Sequence, residues 1–277
     1  MTGLRRCRRR QTDSGYRPAS DNSRRLCVLR LCVLLILFFP HAVWAETVLA
    51  FTRLAPYHYN ENDTPRGISV ALVEEAFRRM DEPVKLIELS WSRALRYLEN
   101  GGVDGVFELL KTPVRETYAD YSSLVLMMEN VSLFVPENSA VQFDGDLQQL
   151  AHLRFGGLQD FSYGEKFDAF RSTELNTEFI TAVSLNDLFL RLINDNIDII
   201  IGDQRGVLLE YRRLQGLKVR SLPQIKRLQP NVEETPSYIA FSKKSQRANL
   251  RERFDQALAN MIAEGVYSKI VENWANY

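Results

Sequence analysis

One guanidinium, two carboxylates and two aromatic rings in this sequence fall just beyond strand-like segments, where binding chemistry is expected. Arg115 follows the strand-like run Val103–Leu110. A planar guanidinium grips a carboxylate with two parallel hydrogen bonds, which fixes orientation as well as charge. Asp203 ends the apolar run beginning at Ile197 and opens a helix at Gln204. Its carboxylate is stabilised there by the free backbone N–H groups of the helix start, which makes it a good cap. Trp91 follows the strand-like Val84–Leu89 and offers an indole face to an apolar group or a cation, yet it shares a core-type stripe with Leu95 and Leu98. Tyr57 is a second aromatic candidate, in the loop after the first strand. Glu108 can select a cationic ligand group, or pair with Arg115 and weaken its grip on a carboxylate.

Catalytic constellations are thin. All three cysteines (Cys7, Cys27, Cys32) precede residue 45, and only His58 and His152 follow it. No HExxH, CxxC, GxSxG or phosphate-loop pattern occurs. The expectation is therefore a binding protein with no catalytic residues, no metal and no cofactor.

The elements that must position these residues alternate between strand and helix patterns, the mark of an α/β fold with largely parallel strands. Val73, Ala76, Phe77 and Met80 repeat at helical spacing after Gly67, and Asn100-Gly101-Gly102 closes a second helix. Val131–Val135 reads as a strand, and a second strand–helix series begins at Arg154. There Ser184 and Asp187 form a capping box ahead of the stripe Leu185, Leu188, Phe189, Leu192. Ser90–Glu108 aligns with Ser184–Gly202 without gaps, pairing Ser90 with Ser184 and Asp104 with Asp198. Two lobes built on one scheme follow, with a cleft between them. In open α/β sheets ligands sit beyond the carboxyl ends of the strands.

The N-terminus reads as an export signal. Residues 1–30 are rich in arginine, Leu31–Phe39 is unbroken apolar sequence, and Val43-Trp44-Ala45 supplies the small residues of a cleavage site. Nine residues rise only about 14 Å as a helix, too little for roughly 30 Å of hydrocarbon. The expected division is a signal peptide at 1–45 and a periplasmic mature chain after it. The full chain balances 35 basic against 35 acidic residues. Loss of the basic leader leaves an acidic protein, which argues against a nucleic-acid partner.

Ala55-Pro56-Tyr57-x-Tyr59, Gly67-Ile68-Ser69-Val70-Ala71-Leu72 and Leu98–Gly105 appear in order along the chain. Thr112-Pro113-Val114-Arg115-Glu116 with Ala119-Asp120-Tyr121-Ser122, then Asn196–Asp203, then Ala257-Leu258 through Gly265-Val266-Tyr267, Ile270 and Trp274, complete the series. Together they resemble the extracellular solute-binding proteins of family 3, the periplasmic amino-acid-binding type. The resemblance implies a type II periplasmic binding protein fold, two α/β lobes joined by two crossing strands near Phe134–Asn138 and Glu234–Ser237. Lobe one would be 46–135 with 237–277, and lobe two 136–236. It implies that Arg115 binds a ligand α-carboxylate, that Asp203 takes its ammonium, and that Trp91 packs on it. Ser162 lies where the family has a hydroxyl residue at a helix start, to donate to the carboxylate or to cap. Phe107-Glu108-Leu109-Leu110 replaces the family's small hydroxyl residues, Leu54 stands for a first-loop aromatic, and Asp160 for a glycine. The implied ligand is a small amino acid or relative, captured by a monomer for an inner-membrane ABC permease or a sensor. The other expectation is a dehydratase-like enzyme on the same fold using Glu108 and Asp203.

Overall fold

The structure, a computed structural model, describes residues 46–173, 177–247 and 249–274. The expected signal peptide lies outside them. No helix among the described residues is long and apolar enough to cross a membrane.

The chain opens with β1 (Thr47–Phe51), a short hairpin of β2 (Tyr59–Glu61) and β3 (Thr64–Arg66), helix α1 (Ile68–Arg79) and β4 (Val84–Glu88). Helix α2 (Trp91–Asn100), β5 (Gly105–Leu110), the one-turn α3 (Pro113–Glu116) and β6 (Ala119–Tyr121) lead into the long β7 (Met127–Pro136). The second series is β8 (Phe155–Leu158), α4 (Glu165–Thr173), β9 (Phe179–Ala182), α5 (Leu185–Ile193), β10 (Ile199–Asp203), α6 (Gln204–Gly216) and β11 (Ile225–Arg227). The long β12 (Glu233–Ser242) returns, followed by α7 (Leu250–Ala263) and α8 (Val266–Asn273).

Local chemistry accounts for the key boundaries. α2 stops at Gly101, whose φ of 82° is left-handed backbone that glycine adopts without steric cost. α5 starts where Ser184 Oγ accepts from the Asp187 amide at 3.1 Å, one half of the expected capping box. The aligned aspartates do the same work in both series. Asp104 accepts from the Val48 amide at 2.9 Å, and Asp198 from the Arg154 amide at 2.8 Å. Each ties the turn before one strand to the start of its parallel neighbour.

The main sheet runs β4-β1-β5-β12-β7-β10-β8-β9. The two long strands join its halves. β12 pairs with β5 through Ser237–Phe241, and β7 pairs with β10 through Val131–Phe134. Between these stretches they pair with each other, Met127–Val131 against Glu233–Ser237. The pairing switch on β7 thus falls near Val131, ahead of the Phe134–Asn138 read from sequence. β7 also starts four residues earlier than expected, because Met127, Glu129 and Val131 alternate inward. An acid at the middle position hides that alternation in the sequence.

Each half has apolar clusters of its own. Phe51, Phe77, Phe107 and Phe254 pack in one half, with Trp91, Ala94 and Leu98 in a second cluster there. Phe155, Phe167, Ile199 and Ile201, and on the other side Leu188, Phe189 and Ile200, fill the second half. Each such side chain contributes roughly 1.5–3 kcal/mol by leaving water. Among the described residues Phe161 alone packs against all four clusters, so it stands where the two lobes meet.

Candidate ligand-binding site

The loop after β1 is held by a tight backbone approach. Gly67 has φ 123°, and a Cβ there would lie 2.2 Å from the Tyr57 carbonyl oxygen, so only glycine fits. Beside it His58 is buried. Its Nδ1 faces the Thr52 carbonyl at 2.5 Å and its Nε2 faces Glu108 Oε2 at 3.0 Å. A carbonyl only accepts, so Nδ1 carries hydrogen, and a second hydrogen must lie between Nε2 and the Glu108 carboxyl. The Ser69 hydroxyl donates to the other Glu108 oxygen. Glu108 itself sits at a bulge. Ile239 pairs with Phe107 and Tyr238 with Leu109, leaving Glu108 unpaired in left-handed backbone at φ 56°. Such a bulge re-aims a side chain and concentrates at functional sites.

Arg115 follows Thr112, which caps α3 by accepting the Arg115 amide at 3.3 Å, and Pro113 at the first helical position. This single turn aims the guanidinium inward, where it is 6% exposed. Nη1 donates to the Leu110 carbonyl at 3.0 Å and Nη2 to the Asp160 carbonyl of the other lobe at 2.9 Å. It lies 5.7 Å from the Trp91 ring centroid. Burial lowers its pKa, opposed by the nearby Tyr121, Tyr118, Asp168 and Glu129.

Asp160 answers from lobe two. It has φ 60°, where the resemblance places a glycine. Its carbonyl also accepts from Trp91 Nε1 at 3.1 Å, and its carboxylate accepts from the Ser92 hydroxyl. Next to it, Phe161 packs on Trp91 at 5.1 Å between ring centroids. Ser162 donates to Asp168 Oδ2 at 2.5 Å, so its hydroxyl steadies the loop before α4.

Asp203 is the cap that the sequence predicts, its Oδ1 accepting from the Gly206 amide at 2.9 Å. The same oxygen accepts from the Tyr57 hydroxyl of lobe one at 3.0 Å, and Oδ2 accepts from the Asn130 amide at 3.1 Å. Burial raises its pKa, against the lowering effect of these three donors. Glu129, on the crossing strand, is the third buried acid lining these cavities, after Glu108 and Asp203, and lies outside the candidates read from sequence. Burial first, then the charges of Glu108 and Asp203, push it well above the ordinary carboxyl range.

These groups line two narrow cavities between the lobes, about 10 and 20 Å³ in volume. Trp91, Glu108, Arg115 and His58 line the first, and Asp203, Tyr163, Leu158 and Val207 the second. Leu54, Glu129, Phe161 and Ser162 line both. Arg115 and Asp203 therefore do not share one cavity: Glu129 and Phe161 stand at the partition. Tyr57 lines neither, since its ring lies in the lobe-one core and only its hydroxyl reaches across. Among the described residues no cluster of histidine, cysteine and acidic side chains forms a metal site.

Two α/β lobes joined by long strands, with arginine, acid and aromatic groups converging between them, define a two-lobed ligand-binding protein. Residues 47–277 match the family model of bacterial extracellular solute-binding proteins, family 3, and the chain belongs to that family. Solved structures share the fold. The arginine-, lysine-, histidine-binding protein ArtJ from Geobacillus stearothermophilus superposes with TM-score 0.69 at 18% identity, over 84% of this chain and 96% of that one. A histidine kinase sensor domain similar to periplasmic binding proteins gives 0.72 at 17%, over 83% and 96%. The ancestral amino-acid-binding protein AncCDT-1, a precursor of cyclohexadienyl dehydratase, gives 0.66 at 16%, over 83% and 94%. No curated protein sequence matches the chain.

Proposed function

We propose that this protein is exported to the periplasm, captures a small amino acid or a derivative between its lobes, and delivers it to an ABC importer or a sensor. The observation that carries the reading is the convergence of Arg115 and Trp91 from one lobe with Phe161, Ser162 and Asp203 from the other on adjoining cavities. Arg115 keeps further N–H donors beyond those given to the Leu110 and Asp160 carbonyls, and they are available to a ligand carboxylate. Asp203 offers a buried acceptor to an ammonium group. Ligands named for the neighbours, arginine, lysine and histidine among them, fit the same class. The likeness to a sensor domain keeps signalling beside import as the destination.

The test is thermal melting of the purified protein against a panel of amino acids. A ligand at a hundred times its dissociation constant adds about 2.7 kcal/mol of stability. A flat response across the panel from folded protein would count against the reading.

A second reading, a dehydratase-like enzyme, draws on Glu108. This acid is set in left-handed backbone, holds a hydrogen against His58 and lines the first cavity. Turnover of a cyclic hydroxy acid that is lost in Glu108→Gln while binding persists would favour it.

A further inference from the structure

The turn that follows β8 reaches across the cleft. It closes where the Phe161 amide donates to the Leu158 carbonyl at 3.3 Å. At its tip Asp160 is held in left-handed backbone, φ 60°, a region that few residues other than glycine adopt. The tip meets lobe one at a single place. The Asp160 carbonyl accepts from Arg115 Nη2 at 2.9 Å and from Trp91 Nε1 at 3.1 Å. The Asp160 carboxylate accepts from the Ser92 hydroxyl. The Phe161 ring lies against the Trp91 indole, 5.1 Å between centroids.

The proposed ligand needs these same groups: Arg115 for its carboxylate and Trp91 for its side chain. A neutral carbonyl and a phenyl ring of the chain itself are seated on them. The cavities beside that seat, about 10 and 20 Å³, have room for about one water each. An amino acid therefore reaches Arg115 and Trp91 only where the tip has moved off them.

Resting on the proposed binding function, we propose that the Asp160–Phe161 tip is an internal competitor of the ligand, a plug that sits on Arg115 and Trp91 and withdraws when an amino acid is held. Ser92 is its catch, and Ser92 lines neither cavity. A ligand carboxylate can take two parallel N–H bonds from the guanidinium where the Asp160 carbonyl takes one, which favours the exchange. Apparent affinity is the affinity of the withdrawn form reduced by the fraction of chains in that form. Weakening the tip while leaving Arg115 and Trp91 in place thus tightens binding, whereas removing a residue that holds the ligand loosens it.

The test is calorimetric titration of the purified protein, Ser92→Ala and Phe161→Ala with L-arginine, L-glutamine, L-leucine and L-phenylalanine. Circular dichroism of each variant checks its fold, and Ser92→Ala decides alone if Phe161→Ala does not fold. The expected result is that any probe bound by the parent binds Phe161→Ala roughly two- to tenfold more tightly, the range an aromatic pair supplies, and Ser92→Ala more tightly by a smaller factor. A probe held by a variant and not by the parent supports the inference as well. Equal or weaker binding by either folded variant overturns the inference and leaves amino-acid capture standing. Binding of no probe by any of the three proteins overturns the amino-acid reading and the inference with it.

Discussion

The Tyr57 hydroxyl, from the first loop of lobe one, donates to Asp203 Oδ1 across the cleft at 3.0 Å. Asp203 uses the same oxygen to cap α6. One acid thus fixes a helix start in one lobe and a loop of the other. Tyr57→Phe removes the cross-lobe donor and leaves the ring in place. A hydrogen bond to a charged group is worth about 1.5–3 kcal/mol. Urea unfolding should show a loss of that order, with far-UV circular dichroism unchanged.

Arg115 and Asp160 form a second tie between the lobes, reinforced by Trp91 Nε1 on the same carbonyl. Arg115→Met keeps an apolar stem and deletes the donors. Small-angle scattering of the ligand-free variant should show a larger radius of gyration than the parent. Amino-acid affinity should fall at least about tenfold, since a buried charged contact is lost. An unchanged radius and affinity would remove Arg115 from both roles.

Trp91 should report occupancy of the cleft. Its indole touches Phe161 and donates to Asp160. Intrinsic fluorescence is expected to shift on ligand binding, and that shift should vanish in Trp91→Phe, with Trp274 left as an unresponsive background.

Burial and the neighbouring acids raise the Glu129 pKa above its ordinary value of 4.5, and Asp203 is raised by burial in the same sense. Above that value the folded chain holds protons that the unfolded chain has released, so stability is greatest below about pH 4.5 as far as these groups go, and falls as pH rises toward their folded values. Glu129→Gln mimics the protonated acid. Its ligand-free melting temperature should exceed the parent's at pH 8 and converge with it near pH 4, each kcal/mol appearing as about 2–4 °C in a chain of this size. A parallel pH dependence in the two proteins would show that Glu129 does not titrate in this way.

Much of the frame is legible in the sequence, because it rests on local chemistry. The paired aspartates Asp104 and Asp198 could be matched by offset alone, and each holds a strand start. Asp203 could be read as a cap because an apolar strand ran straight into a helix. The partition of the cleft could not be read. Glu129 interrupts the apolar alternation of β7, and its placement depends on pairing with Thr235 more than a hundred residues away. Asp160 acts through its main-chain carbonyl, which carries no side-chain signature. The orientation of Glu108 comes from a bulge that only the register against β12 reveals. The hydroxyl of Tyr57 mattered where its ring was expected to.

Amino-acid capture between the lobes is tested most directly by native mass spectrometry of the purified protein mixed with the proteinogenic amino acids at equal concentration. The account predicts an adduct of one amino acid per chain, selective within the mixture and lost in Arg115→Met. Folded protein that carries no adduct, or that carries all the amino acids indiscriminately, would contradict it.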